Sequence, residues 1–177
     1  MGHRTVTKQI MNLIESKTGK VLITGGSGFV GPHLIRHLKL HALRIAVFAP
    51  RIIASDDTSV EYHCVDIRDR KSVFSLMEEI SPSSIYHLAG VSAVDVSWSN
   101  PRITYDVNVT GAYNVFEAAM RLSVVPRLPN VSTGQVYAAS QGALRENSLV
   151  RPDNPYAASK AMAELLTVQY RNREIAH

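Results

Sequence analysis

"KVLITGGSGFVG", residues 20–31, decides how the rest of the chain is read. "KVLIT" (20–24) is a short apolar run ended by glycine, which predicts a buried strand. Gly25, Gly28 and Gly31 then fall at a G-x-x-G-x-x-G spacing. "FVGPHLIRHLKL" (29–40) follows with apolar residues at helical intervals. Glycines so placed allow a sharp turn, close approach of a pyrophosphate, and tight packing of the helix on the strand. A strand, such a turn and a helix in direct succession open a dinucleotide-binding unit. Gly25, Gly28, Phe29, Val30 and Gly31 are its expected phosphate loop.

Working outward, "LRIAVFA" (43–49), "VEYHCVD" (60–66), "SSIYHLAG" (83–90) and "PRLPNVST" (126–133) read as further strands, the last with an awkward Pro129. "DRKSVFSLMEEI" (69–80) reads as a helix. "NPRITYDVNVTGAYNVFEAAMRL" (100–122) and "NPYAASKAMAELLTVQYRNRE" (154–174) read as long helices, each headed by an Asn cap and a Pro in the first turn. Alternating strands and helices predict an α/β fold, a Rossmann-like doubly wound parallel sheet flanked by helices, over residues 20–177. Residues 1–19 form an N-terminal extension in which Ile10, Met11, Leu13 and Ile14 suit one face of a short helix. "AASQGALRENSLVRPD" (138–153) is too long for a plain connection and is either a binding loop or disordered.

The strand ends select the cofactor. An acid after the second strand would bond the adenosine ribose, but Arg51 stands there and no acid follows before Asp56. A guanidinium suits a 2′-phosphate, which favours NADP, with NAD as the alternative. Asp66 either meets the adenine edge or caps the helix near Arg70, and Ile67 follows it along the same wall. Leu88, Ala89 and Gly90 leave small residues beside the cofactor. Tyr156 and Lys160 lie four apart on one helix face. A free phenol has a pKa of about 10, and a neighbouring ammonium brings it into working range as a proton carrier. Ser132 or Thr133 would hold the substrate oxygen.

The chain has 177 residues and a net charge of +4, without a dense Lys/Arg block, so nucleic acid is not expected as a partner. No run approaches the roughly 18 apolar residues of a membrane span, and the first residues carry no apolar signal core. A single cysteine, Cys64, excludes an intrachain disulfide, fits a reducing, cytoplasmic setting, and is expected in the core. His33, His37 and His41 form one stripe, but a lone helix offers no fourth ligand, so no metal site is expected. Trp98 falls in the loop after the fourth strand, where it borders the cleft or covers the sheet end.

"TGGSGFVG", "VDIRD", "IYHLAG", "DVNVTGAYNVFEAA", "VSTGQVY" and "RPDNPYAASKAMAE" together resemble an extended short-chain dehydrogenase/reductase of the nucleotide-sugar epimerase/dehydratase type. The branch most similar is that of GDP-mannose 4,6-dehydratase and GDP-4-keto-6-deoxymannose reductase. The resemblance implies a catalytic Thr133–Tyr156–Lys160 set, a supporting Asn108, a nucleotide-diphosphate sugar as substrate, and a homodimer through helices 100–122 and 154–174. In similar dehydratases the positions of Gly134 and Gln135 carry acids. Their neutrality here favours simple 4-keto reduction, with C4 epimerisation or 4,6-dehydration as alternatives. The resemblance also implies a smaller C-terminal substrate domain, most of which this chain lacks. That leaves a non-catalytic dinucleotide-binding fragment as a further alternative.

Overall fold

The computed structural model describes residues 19–41 and 43–175, so the expected helix around Ile10–Ile14 lies outside the described residues. Four strands, β1 (Lys20–Thr24), β2 (Arg44–Ala49), β3 (Val60–Cys64) and β4 (Ser84–His87), form a parallel sheet in the order β3-β2-β1-β4. The helices are α1 (Gly31–Lys39), α2 (Arg70–Ile80), α3 (Val94–Ser99), α4 (Pro101–Tyr105), α5 (Ala112–Met120) and α6 (Pro155–Ile175).

Near-continuous apolar strands are stable here because both faces of the sheet are covered. Leu22, Ala46 and Phe48 pack on one face against Val73 and Met77 of α2 and Val115 and Phe116 of α5. Val21, Ile23, Ile45 and Val47 pack on the other against Ile35 and Leu38 of α1. Full burial of a side chain such as Leu38 contributes about 2 kcal/mol. The fold is therefore the expected Rossmann-like doubly wound sheet. Among the described residues no helix is long and apolar enough to cross a membrane.

Local chemistry sets the boundaries. Asp69 caps α2 by accepting from Lys71 N at 3.0 Å and Ser72 N at 3.4 Å. This frees Asp66 from the capping role, the rival of its adenine role. Ser81 ends the helix in a left-handed conformation, φ 44°. Asn100 accepts from Ile103 N and Asn154 from Ala157 N, as the two Asn-Pro heads predict.

Four expectations need correction. The helix expected over 100–122 contains a π-helical turn, Asp106–Gly111, between α4 and α5. Ahead of it, the segment expected to be a loop is helix α3, and it carries Trp98, 61% exposed. Cys64 is exposed rather than in the core. It ends β3, an edge strand paired only with β2, where one side of the ladder lacks a neighbour among the described residues. The strand expected over 126–133 is reduced to isolated bridges, Ser84↔Arg127 and His87↔Asn130. Arg127 N donates to Ser83 O and Arg127 O accepts from Ile85 N. In that register the next donor is residue 129, and proline has no N–H to give.

The long connection at 138–153 is an ordered loop. Ala138 N donates to Leu149 O at 2.8 Å and Arg151 N to Val136 O at 2.9 Å, folding it back on itself.

Candidate active site

The chain leaves β1 toward β2 and β3 on one side and later returns as β4 on the other. Loops therefore diverge above the carboxyl ends of β1 and β4, and ligands of doubly wound sheets bind in that crevice. A groove of about 290 Å³ opens there. Gly25, Gly28, Asp66, Ile67, Leu88, Ala89 and Gly90, all singled out from the sequence, line it. Phe29, Val30, Gly31, Arg51, Asn108, Tyr156 and Lys160 are not part of that lining. Phe29, Val30 and Arg51 are exposed, and Gly31 is buried beneath the loop. Ser27, Pro50, Arg68 and Val91 also line the groove, beyond the residues the sequence singles out. Of these, Arg68 alone carries a signal, as a cation two residues from Asp66.

The three motif glycines serve different ends. Gly25 has φ +69°, and a Cβ there would stand 2.5 Å from Ala89 N. A Cβ on Gly31 would stand 2.0 Å from Gly26 O. Packing within the chain forces both. At Gly28 a Cβ would meet only Gly25 O, at 3.2 Å. The fold does not demand that glycine, whose bare backbone leaves open the cradle a pyrophosphate would fill.

Asp66 is held by Arg68, whose Nε lies 3.0 Å from both carboxylate oxygens and whose Nη2 lies 2.5 Å from Oδ2. The Arg68 hydrogen bonds keep this carboxyl below the usual range. The π-turn holds Asn108 almost fully buried behind Val91, one of the groove-lining residues. Its Oδ1 accepts from Val91 N at 2.7 Å. Its Nδ2 donates to Val91 O at 2.9 Å and to Ser159 Oγ at 2.8 Å.

Tyr156 and Lys160 occupy the first turns of α6. Burial pushes the Lys160 ammonium below its ordinary value, and the Glu164 carboxylate one turn on pulls it back up. His87, at the end of β4, is pushed down to about 4 by burial and then by the Lys160 charge. Its Nδ1 shares a 2.7 Å hydrogen bond with Thr24 Oγ1. The buried His87 imidazole thus lies near enough to the Lys160 ammonium of the tyrosine helix to feel its charge.

The strand-end hydroxyls are placed differently from one another. Ser132 is exposed and donates to Glu164, so its hydroxyl is engaged by a side chain of α6. Thr133 caps the 3-10 turn Gly134–Val136 by accepting from Gln135 N at 3.3 Å. That turn is tied to the head of α6, because Asn154 Nδ2 donates to Gln135 Oε1 at 3.2 Å. Thr133 reaches the tyrosine helix through this bridge. Of the expected catalytic residues, Tyr156 and Lys160 share a helix face, and Thr133 caps the turn that Gln135 ties to the start of that helix.

Known proteins resemble this chain in sequence and fold. The family model of GDP-mannose 4,6 dehydratases matches residues 22–176. The chain belongs to this family. A dTDP-glucose 4,6-dehydratase of Streptomyces antibioticus is 33% identical over 164 residues, covering 85% of this chain and 48% of that protein. A GDP-6-deoxy-D-mannose reductase of Pseudomonas aeruginosa is 31% identical over 156 residues, covering 86% and 47%. Among solved structures, a UDP-glucose 4-epimerase of Thermus thermophilus in complex with NAD superposes with a TM-score of 0.79. It is 31% identical and covers 87% of this chain and 51% of that one. The chain thus spans about half the length of these family relatives.

Proposed function

We propose that the protein is an NADP(H)-linked oxidoreductase acting on a nucleotide-diphosphate sugar, with 4-keto reduction as its reaction. The observation that carries this reading is the placing of Tyr156 and a half-buried Lys160 four residues apart on α6, in a chain whose glycine-rich turn lines a groove at the strand ends. Relatives named as sugar reductases, dehydratases and epimerases, one of them solved with NAD, support it.

The roles follow from chemistry. Gly25 and Gly28 admit the pyrophosphate, Asp66 meets the adenine, and Ile67 and Leu88–Gly90 flank the cofactor, with Phe29, Val30 and Gly31 shaping the loop. Arg51, exposed after β2, pairs with a 2′-phosphate; NAD is the alternative where that contact is weak. The bound nicotinamide supplies or accepts hydride. Tyr156 moves the proton at the carbonyl oxygen, Lys160 stabilises its phenolate, and Thr133 holds that oxygen. Ser132, whose hydroxyl donates to Glu164, is the alternative holder of that oxygen. Neutral Gly134 and Gln135 support reduction over dehydration, because loss of hydroxide needs an acid and a base that they do not offer.

Exposed apolar residues on both long helices, Ile103 and Tyr113 on one and Met162, Leu165 and Val168 on the other, support a homodimer through this face. Sedimentation of wild type against Leu165→Glu tests that contact.

The activity test follows nicotinamide absorbance with NADPH and GDP- or dTDP-4-keto-6-deoxy sugars. Tyr156→Phe should lower turnover by about 10²-fold or more. Arg51→Ala should weaken NADPH binding by about tenfold while leaving NADH unchanged. Wild-type turnover by Tyr156→Phe would sink the catalytic reading. Equal loss for both cofactors would sink the NADP assignment.

A further inference from the structure

Ser159 sits in "PYAASKAMA", a stretch in which alanine occupies most neighbouring buried positions. Its relative exposure is 0%. A serine in a helix interior that bonds back to its own helix slightly destabilises it, so helix formation alone would favour another alanine there. The hydroxyl is nonetheless fully employed. It donates to Tyr156 O at 2.7 Å and accepts from Asn108 Nδ2 at 2.8 Å. Asn108 is in turn saturated: its remaining N–H and its oxygen are both bonded to Val91, which lines the groove. A chain of hydrogen bonds therefore runs from the groove wall through the π-turn to the backbone of the tyrosine itself.

We infer that Ser159 is a positioning residue that fixes the first turn of α6 against the Asn108–Val91 wall, and so sets where Tyr156 and Lys160 stand relative to the groove. This rests on the proposed role of Tyr156. Asn154 and Gln135 do not duplicate the bridge: they tie the head of α6 to the strand-end turn, on the opposite side of Tyr156 in sequence. Without the Ser159 hydroxyl, one Asn108 N–H is left unpaired in a buried position, and the turn loses its tether to the groove. Small misplacements of a reacting group cost rate steeply.

The test is a steady-state comparison of wild type, Ser159→Ala, Ser159→Cys, Ser159→Thr and Tyr156→Phe with NADPH and a 4-keto-6-deoxy nucleotide sugar. Calorimetric NADP binding and a pH–rate profile accompany it. Ser159→Ala should lower kcat by about tenfold, leave KM for the sugar and NADP affinity within about twofold, and displace the pH limb belonging to the Tyr156–Lys160 pair. Thr, which can form the same bond to its preceding turn, should recover most of the rate. Cys, similar in volume but a weak donor, should not. Should Ser159→Ala fail to fold, the Cys and Thr variants make the same comparison. Wild-type kcat and pH profile in Ser159→Ala or Ser159→Cys, with Tyr156→Phe inactive, would overturn the inference while leaving the proposed function standing. A fully active Tyr156→Phe would overturn the proposed function instead.

Discussion

Replacing Gly31 by alanine, and separately Gly28, separates the folding role of the glycine-rich turn from its ligand role. At position 31 the new Cβ would lie 2.0 Å from Gly26 O, 2.4 Å from Gly26 C and 2.5 Å from its Cα. Carbon and oxygen normally meet at about 3.3–3.6 Å, so the overlap exceeds about 1 Å and falls on backbone. Helix α1 must then move away from the loop, loosening Ile35 and Leu38 from their sheet face. Overpacking of this kind costs about 1–3 kcal/mol, and a backbone clash belongs at the upper end. For a chain of this size each kcal/mol is about 2–4 °C, so Tm should fall by about 6–12 °C. At position 28 the Cβ would meet one atom, Gly25 O at 3.2 Å, at a backbone angle open to alanine. Its Tm should stay within about 2 °C of wild type. The methyl would project into the pyrophosphate cradle, however, and NADP affinity should drop at least about tenfold, a loss of about 1.4 kcal/mol. Thermal melts with and without NADP, plus calorimetry, read both effects. Unaltered NADP affinity in Gly28→Ala would refute the phosphate loop, and an unaltered melt in Gly31→Ala would refute the packing argument.

His87 makes stability pH-dependent. Its folded pKa of about 4 lies below the ordinary 6.5, so the unfolded chain takes up the proton first as pH falls. The stability from holding it neutral is whole above about pH 6.5 and is lost progressively toward pH 4, amounting to about 3 kcal/mol. Denaturant melts at pH 7 and 4.5 should show that loss and His87→Asn should show less of it; equal slopes in the two proteins would contradict the assignment. Pro129→Val supplies the missing donor to Ile85 O, and should raise stability by about 1 kcal/mol. A destabilised variant would mean that the register across β4 is wrong.

The parts of the fold legible in the sequence are those whose cause is local. β1 and β2 are buried on both faces, so their apolar runs are unmistakable, and the Asn-Pro heads of the two long helices fix where those begin. What the sequence hid depends on distant neighbours. Cys64 looks like a core residue until β3 is known to be an edge. The strand around Arg127 shows an awkward Pro129, but only its partner's register makes that residue the required donor. The π-turn leaves an ordinary helical pattern, and only the packing of Gly111 on Ile67 and the inward Asn108 reveal it. The site divides in the same way. The glycine loop is readable because its residues are contiguous, whereas Ser159 gives no local signal and meets Asn108, 51 positions away, only in the folded chain.

Gly134 and Gln135 gain a sharper meaning from this geometry. Neutral residues could stand there merely because the fold has no room for acids. A Cβ on Gly134 would find nothing within 4 Å, and its backbone angle is one any residue adopts. The Gln135 side chain contributes an oxygen that accepts from Asn154 Nδ2, and a glutamate oxygen would accept there equally well. Packing and helix capping would therefore tolerate an aspartate at 134 and a glutamate at 135. With the steric explanation removed, their neutrality bears on chemistry: at these two positions the lip of the site beside Thr133 has no group that can take or give a proton. On the proposed reading, proton traffic falls to Tyr156, with Lys160 behind it, and one proton accompanying one hydride is what reduction of a ketone requires.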